Sequence, residues 1–202
     1  MAFVKKIPDD WKVDADFQQD SHNIFEPLFS EEKCDKIISI GDKLAKVDAT
    51  IKNDKNNDVN KDIRNSQVSW LPVNKETIWI YDWIWASVQN TNNWKIDIRG
   101  FYECIQYTVY DSAVGTPHYD WHTDTGPNMN YRKISLTIQL SNTDEYSGGE
   151  FELERGGILD TPKYREKGHA IMFPSILRHR VLPVTSGIRK SLVVWIAGPH
   201  IR

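Results

Sequence analysis

The hydrophobic positions change period once along the chain, near residue 98. Before that point two stretches repeat at helical spacing. Ser30, followed by Glu31 and Glu32, places a capping hydroxyl and two carboxylates where a helix would begin, and Cys34, Ile37, Ile38 and Leu44 continue at helical spacing. This pattern predicts an amphipathic helix to about Val47. The segment ETIWIYDWIWASVQN, 76–90, is apolar around most of its circumference and predicts a second helix buried on more than one side, its tryptophans used for packing. Residues 1–29 contain Pro8, Pro27 and several aspartates without a sustained period and read as an irregular arm. KNDKNNDVNKD, 52–62, reads as a flexible loop, with too little apolar surface to offset its ordering entropy.

After residue 98, short runs of β-branched and aromatic residues separated by Gly, Pro, Asn and Asp give candidate strands at 101–110, 132–141, 149–154, 168–173, 178–184 and 188–197. Two helices followed by strands at this spacing predict a mainly β fold, a sandwich or barrel with the helices packed on one side. Alternation refines this. In RKISLTIQLS, Ile134, Leu136, Ile138 and Leu140 share a core face, while Ser135, Thr137 and Gln139 line something polar. In IRKSLVVWIAG, Leu192, Val194 and Ile196 point one way and Arg189, Ser191, Val193 and Trp195 the other. A cation on a strand buried on both sides is costly alone, so an anion should meet Arg189 there.

A length of 202 residues predicts one domain, with an N-terminal arm, helices and loop over 1–97 and a β core over 98–202. A net charge of -3 points away from nucleic acid, and no apolar run approaches the roughly 20 residues of a membrane span. MAFVKKIPDDWKVD lacks the apolar middle of a secretory signal, which predicts a soluble, cytoplasmic protein. Cys34 and Cys104 are expected to be reduced core thiols.

His122-Thr123-Asp124 puts an imidazole and a carboxylate on one face of an extended segment, and His179 comes from a later strand. Two His and one carboxylate leave coordination positions open, as non-haem iron(II) requires for O2 and a chelating co-substrate. A rival pair, His118-Tyr119-Asp120, lies in the same HYDWHTD segment, so four ligands compete for two places. His22, His169 and His200 read as structural or exposed. Downstream of His179 the chain reads HRVLPVTSGIRKS, with Arg189 ten positions on and Ser191 two further. A guanidinium fork and a neighbouring hydroxyl suit a carboxylate.

The stretches YTVYDSAVGTPHYDWHTD, RKISLTIQLSNTDEYSGGEFEL and KGHAIMFPSILRHRVLPVTSGIRKSLVVWIAGP, with PLFSEEKCDKII and IRNSQVSWL less specifically, resemble the prolyl 4-hydroxylase-like branch of the 2-oxoglutarate oxygenases, particularly PKHD-type hydroxylases. The resemblance implies a double-stranded β-helix, or jelly-roll, with iron(II) between its sheets on His122, Asp124 and His179; the family's Y-x-x-H-x-D spacing favours these over His118 and Asp120, which become residues near the ligands. It implies that Arg189, with Ser191, binds the C5 carboxylate of 2-oxoglutarate and that Tyr110 lies beside this co-substrate. Trp195 matches an aromatic position near it, with core packing an equal reading. Gln139 stands where animal and plant prolyl hydroxylases carry Tyr and PKHD-type chains commonly carry Gln. The implied reaction consumes O2 and 2-oxoglutarate, with ascorbate a candidate stimulant, and hydroxylates an unactivated C–H. A side chain in a peptide or protein is the leading substrate, prolyl by analogy; a free small molecule and a non-catalytic metal-binding jelly-roll are the alternatives.

Overall fold

A computed structural model of the chain describes residues 21–52, 57–58, 60–154, 157–159 and 162–200. Most of the expected N-terminal arm, 1–20, and part of the expected flexible loop, 53–56 and 59, lie outside the described residues. Strand β1 is Asn23–Phe25 and helix α1 is Glu31–Gly41. Ser30 caps α1, its hydroxyl accepting from the Lys33 amide at 3.4 Å. The helix stops short of the expected Val47 because Val47–Asp48 is strand β2, paired with Val68 and Gln67. The segment expected to be a loop carries strands β3 (Ile51–Lys52) and β4 (Asn57–Asp58), which pair with each other, and β5 follows at Arg64–Asn65.

Strand β6 (Gln67–Leu71) leads into helix α2 (Ile78–Thr91). The Tyr81 hydroxyl donates to the Leu71 carbonyl at 2.6 Å and accepts from the Ile105 amide at 2.9 Å, keying α2 to two strands at once. The buried stripe of α2 is Ile80, Tyr81, Ile84 and Val88, so one side is buried rather than several. Its tryptophans flank that stripe. Trp83 is 47% exposed and is covered by the Lys33 ammonium 3.4 Å from its ring centroid, while its indole N–H reaches the Leu28 carbonyl.

The remaining strands are β7 (Ile105–Asp111), β8 (His118–His122), β9 (Arg132–Gln139), β10 (Tyr146–Gly148), β11 (Phe151–Leu153) and β12 (Gly157–Leu159). After the short helix α3 (Pro162–Arg165) come β13 (Ala170–Pro174), β14 (His179–Val181) and β15 (Val184–Ala197). The major sheet runs β1-β13-β9-β15-β7-β6-β2, with β10 pairing β15, and the minor sheet runs β12-β11-β14-β8-β5. The fold is mainly β, a jelly-roll with the two long helices on one sheet. The sheets also draw β1, β2, β5 and β6 from before residue 98. No helix among the described residues is long and apolar enough to cross a membrane.

Alternation divides two cores. Ile134, Leu136, Ile138, Leu192, Val194 and Ile196 pack with Ile37, Ile40, Ile80 and Ile84 of the helices. Between the sheets, Tyr110, Tyr146, Phe151, Phe173 and Val181 form a second cluster. The end of α1 is locked onto β7, since Tyr107 donates to Asp42 Oδ1 at 2.9 Å and Lys190 reaches Asp42 Oδ2 at 2.7 Å. Burial would raise the Asp42 carboxyl, but hydrogen bonds from Lys190 and Tyr107 and the charges of Lys190 and Lys46 outweigh it and hold it below the ordinary 3.8.

Gly41→Ala tests this lock. A Cβ there would sit 2.7 Å from Tyr107 ring carbons, and the tethered ring has no room to withdraw. The usual helix gain of about 1 kcal/mol for Ala over Gly loses to an overpacking cost of about 1–3 kcal/mol. Calorimetry should show a Tm lower by about 2–6 °C; an unchanged or raised Tm would refute the clash. The Asp42 contribution is present above pH 3.8 and lost as pH falls through its lower folded-state value. The denaturant-measured stability gap between wild type and Asp42→Asn should therefore hold from about pH 7 to 5 and narrow below about 4.

Candidate metal centre

His122 ends β8 and His179 begins β14, and these two residues are directly paired across the minor sheet. Asp124 follows His122 by two, and its amide donates to the Ser175 carbonyl at 3.1 Å. Asp124 Oδ1 is 3.7 Å from His122 Nε2 and Oδ2 is 3.4 Å from His179 Nε2. One ligand atom from each of the three residues lies within 4.8 Å of the others. A first-row ion with bonds of about 2.1 Å fits among such atoms after a small contraction. The Nδ1 atoms face the carbonyls of Asp120, at 2.8 Å, and Leu177, at 3.0 Å. Those acceptors require protons on Nδ1, leaving both Nε2 lone pairs toward the shared point.

Electrostatics agree with a ligand set. Burial, then the neighbouring His179, push the His122 imidazole down to about 3, which keeps it neutral. Burial would raise Asp124, but the imidazoles of His179 and His122, the Ser135 hydroxyl and Arg132 outweigh it and lower its pKa. Buried Asp124 Oδ2 has no hydrogen-bond partner among the described residues, a polar atom that a cation would satisfy. The Tyr119 ring stacks on His122 at 3.5 Å and 15°, and the Arg64 guanidinium covers Tyr119 at 4.5 Å.

His118 and Asp120 lie apart from this cluster. Both His118 ring nitrogens face carbonyl oxygens, of Thr116 at 2.8 Å and Asp62 at 3.0 Å. Asp120 is exposed, its carboxylate accepts from the Trp121 amide, and its carbonyl orients His122.

The triad opens into a cavity of about 320 Å3 between the sheets, whose wall includes Arg189, Ser191, Val193 and Trp195. Arg189 is 1% exposed. Its Nη1 reaches Ser191 Oγ at 3.4 Å, and Nε and Nη2 have no partner among the described residues. The Tyr110 ring lies beneath the guanidinium at 5.3 Å. Gly149, at φ 69°, leaves the space that the Arg189 stem fills, since a Cβ would come within 2.9 Å of Arg189 Cδ. Gln139 pairs with Ser191 and is buried with its Oε1 unpartnered among the described residues, but the cavity is lined on β9 by Arg132, Leu136 and Thr137 and not by Gln139.

Trp195 is a wall residue whose indole N–H has no partner among the described residues, and the Arg132 guanidinium lies 3.6 Å from its ring centroid. Glu103 fixes Arg132 through hydrogen bonds of 2.6 and 2.7 Å. Sequence reasoning missed Arg132 and Glu103. Arg132 has the parity of Ile134, Leu136 and Ile138, but the pairing of β9 with β15 slips between Ile196 and Ala197, opposite Arg132. Trp70, 43% exposed at the cavity mouth, was missed as well, although VSW already shows strand alternation.

Two imidazoles and a carboxylate converge between the sheets of a jelly-roll as a candidate metal site, and a buried guanidinium lines the same cavity. Residues 105–197 match the model of the 2OG-Fe(II) oxygenase superfamily. A PKHD-type hydroxylase of Synechococcus sp. (strain CC9605) is 40% identical over 80 residues, covering 39% of this chain and 36% of that one. A PKHD-type hydroxylase of Colwellia psychrerythraea is 43% identical over 96 residues, covering 46% and 42%. The matched segments thus span well under half of either relative. In fold, the chain is similar to a Pseudomonas putida prolyl-4-hydroxylase (TM-score 0.63, 15% identity, covering 89% of this chain and 93% of that one). It is also similar to a Trichoplax adhaerens prolyl hydroxylase solved with a hypoxia inducible factor peptide fragment (TM-score 0.69, 15% identity, covering 88% and 84%).

The two H-x-D pairs separate by experiment. Anaerobic iron(II) titration should show His122→Ala weakening metal binding by at least about 100-fold, beyond the effect of losing a residue that only supports a ligand. His118→Ala should stay within about tenfold of wild type. The opposite ranking would move the ligand assignment to His118 and Asp120.

Proposed function

We infer that the chain is an iron(II)- and 2-oxoglutarate-dependent dioxygenase that hydroxylates an unactivated C–H. The observation that carries this is one cavity holding, among the described residues, a partnerless carboxylate oxygen beside two imidazoles at one place and a guanidinium with two partnerless nitrogens at another. A structural metal site has no use for the second. In this reading His122, Asp124 and His179 hold the iron, and Arg189 with Ser191 takes the far carboxylate of 2-oxoglutarate over the Tyr110 ring. Bound iron with O2 supplies the oxidation of the substrate C–H, coupled to decarboxylation of 2-oxoglutarate to succinate.

The chain's own share is orientation and exclusion of water. Asp120 and Leu177 carbonyls hold the imidazole tautomers, and Phe173 packs against the His179 ring at 4.7 Å and covers it from solvent. The Glu103–Arg132 pair sets the plane of Trp195, so the far end of the β15 wall that carries Arg189 is rigid before any substrate enters. A side chain reaching in through the mouth beside Trp70 passes Trp195 on its way to the triad.

The substrate is a side chain in a peptide or protein, with prolyl favoured. Support comes from the prolyl hydroxylase neighbours, one titled with a peptide fragment, and from a mouth flanked by the sheet-edge strands β2 and β5. Cytoplasmic placement and stimulation by ascorbate go with this reading.

Mixing iron(II) with 2-oxoglutarate under anaerobic conditions should give a weak visible charge-transfer band, because both groups share one ion. No band, with tight zinc binding instead, would remove the oxygenase reading. Arg189→Met keeps much of the stem's packing and removes the fork, so the KM for 2-oxoglutarate should rise at least about tenfold while iron affinity changes little. Lys at this position should restore part of the loss as a point charge. An unchanged KM with lost folding or iron binding would make Arg189 a structural cation.

A further inference from the structure

His118 is unemployed by the reading above, yet both of its ring nitrogens are engaged. Nδ1 lies 2.8 Å from the Thr116 carbonyl and Nε2 lies 3.0 Å from the Asp62 carbonyl. Carbonyl oxygens only accept. A neutral imidazole carries one N–H, so it can satisfy one of these contacts and sets a lone pair against the other oxygen. A ring carrying both protons donates to both, and such charge-assisted hydrogen bonds are the stronger kind.

The Asp62 carbonyl belongs to a turn that bears on the cavity. The Asn60 carbonyl accepts from the amides of Ile63, at 3.2 Å, and Arg64, at 2.9 Å, and the Ile63 carbonyl accepts from the Asp120 amide at 2.8 Å. Arg64 and Asn65 then pair with Tyr119 and His118 as β5 joins the edge of the minor sheet. From that place Arg64 covers the Tyr119 ring, and Tyr119 stacks on His122. The side-chain bonds of Arg64 to Ser66 Oγ, at 3.3 Å, and the Thr50 carbonyl, at 3.4 Å, are long. What fixes Arg64 over Tyr119 is therefore chiefly the backbone of its turn.

We propose that His118 is a positioning residue that clasps the 60–65 turn to β8, holding Arg64 over Tyr119 at the cavity mouth, and that the clasp closes fully only when the ring carries both protons. The doubly protonated ring donates to both carbonyls and the neutral ring to one, so the second proton and the ordering of the mouth are linked. The charged groups around the clasp are Asp62 and Arg64 on the turn, Asp120 on β8, and Asp48, Lys61 and Asp111 around a small cavity beside Pro117. Lys61 is paired with Asp48 at 3.1 Å, which reduces its opposition to a charged imidazole. The proposal depends on the oxygenase reading only for what the mouth admits.

The test is amide hydrogen exchange by NMR on the full chain, corrected for intrinsic exchange rates, from about pH 5.5 to 8. It measures no turnover, so it stands or falls separately from the oxygenase assignment. In wild type the protection of the Arg64 and Asp120 amides should fall about tenfold as pH rises, the worth of one charge-assisted hydrogen bond. His118→Gln, which keeps a donor but does not titrate, should show protection independent of pH, and His118→Ala should show low protection throughout. Wild-type protection that is flat with pH, a pH dependence that survives in His118→Gln, or wild-type protection in His118→Ala would each overturn the proposal.

Discussion

A guanidinium enclosed between two sheets is expensive unless an anion meets it. Arg189, 1% exposed with two nitrogens unpartnered among the described residues, sets the terms for everything around it. It cannot swing out to water, because β15 is hydrogen-bonded on one side to β7 and on the other to β9. It cannot be crowded either, and the positive φ of Gly149 reserves room for its stem. The cost of keeping this charge dry falls on the opposite face of the same strand, where Leu192, Val194 and Ile196 pack against the helix layer. Affinity for an anion is thus stored in the fold as an unmet electrostatic demand.

The metal end of the cavity follows a different logic. Its candidate ligands His122 and His179 sit on the short strands β8 and β14 of the minor sheet and Asp124 just beyond β8, where hydrogen bonds and stacking set their orientation. Backbone carbonyls orient both imidazoles, Tyr119 backs one ring and Phe173 the other, and Arg132 donates to the Asp124 carbonyl at 3.3 Å. Arg132 joins the two ends, since it also carries Trp195 on its face and is itself held by Glu103.

Long elements with a strict period were legible from sequence, and short ones were not. Alternation along 188–197 separated the helix-facing Leu192, Val194 and Ile196 from the cavity-facing Arg189, Ser191 and Trp195, because that strand is buried on both sides and each parity has one environment. β8 has no such signal. His118, Tyr119, Asp120, Trp121 and His122 face a cavity, a turn and solvent by turns, and an irregular register with β14 breaks their parity. The end of α1 was misplaced because Val47 satisfies both a helical period and a strand, and pairing with Val68 decides between them. Arg132 was hidden by a slip in pairing that no composition rule reports. Resemblance of motif, rather than periodicity, separated His122 and Asp124 from the adjacent pair.

The central position of β15 has a consequence for how the molecule is made. Its partners β7, β9 and β10 are all synthesised earlier, and its far end pairs Trp195 with Ser135, 60 positions upstream. Until the ribosome has released residues through about Ala197, β7 and β9 each expose an unpaired edge and a half-covered apolar face. Loop closures of this length make the assembly slow as well as late. The strand that carries the guanidinium is therefore also the keystone of the sheet, and a nascent chain halted before it would present a vacant slot between two unpaired edges.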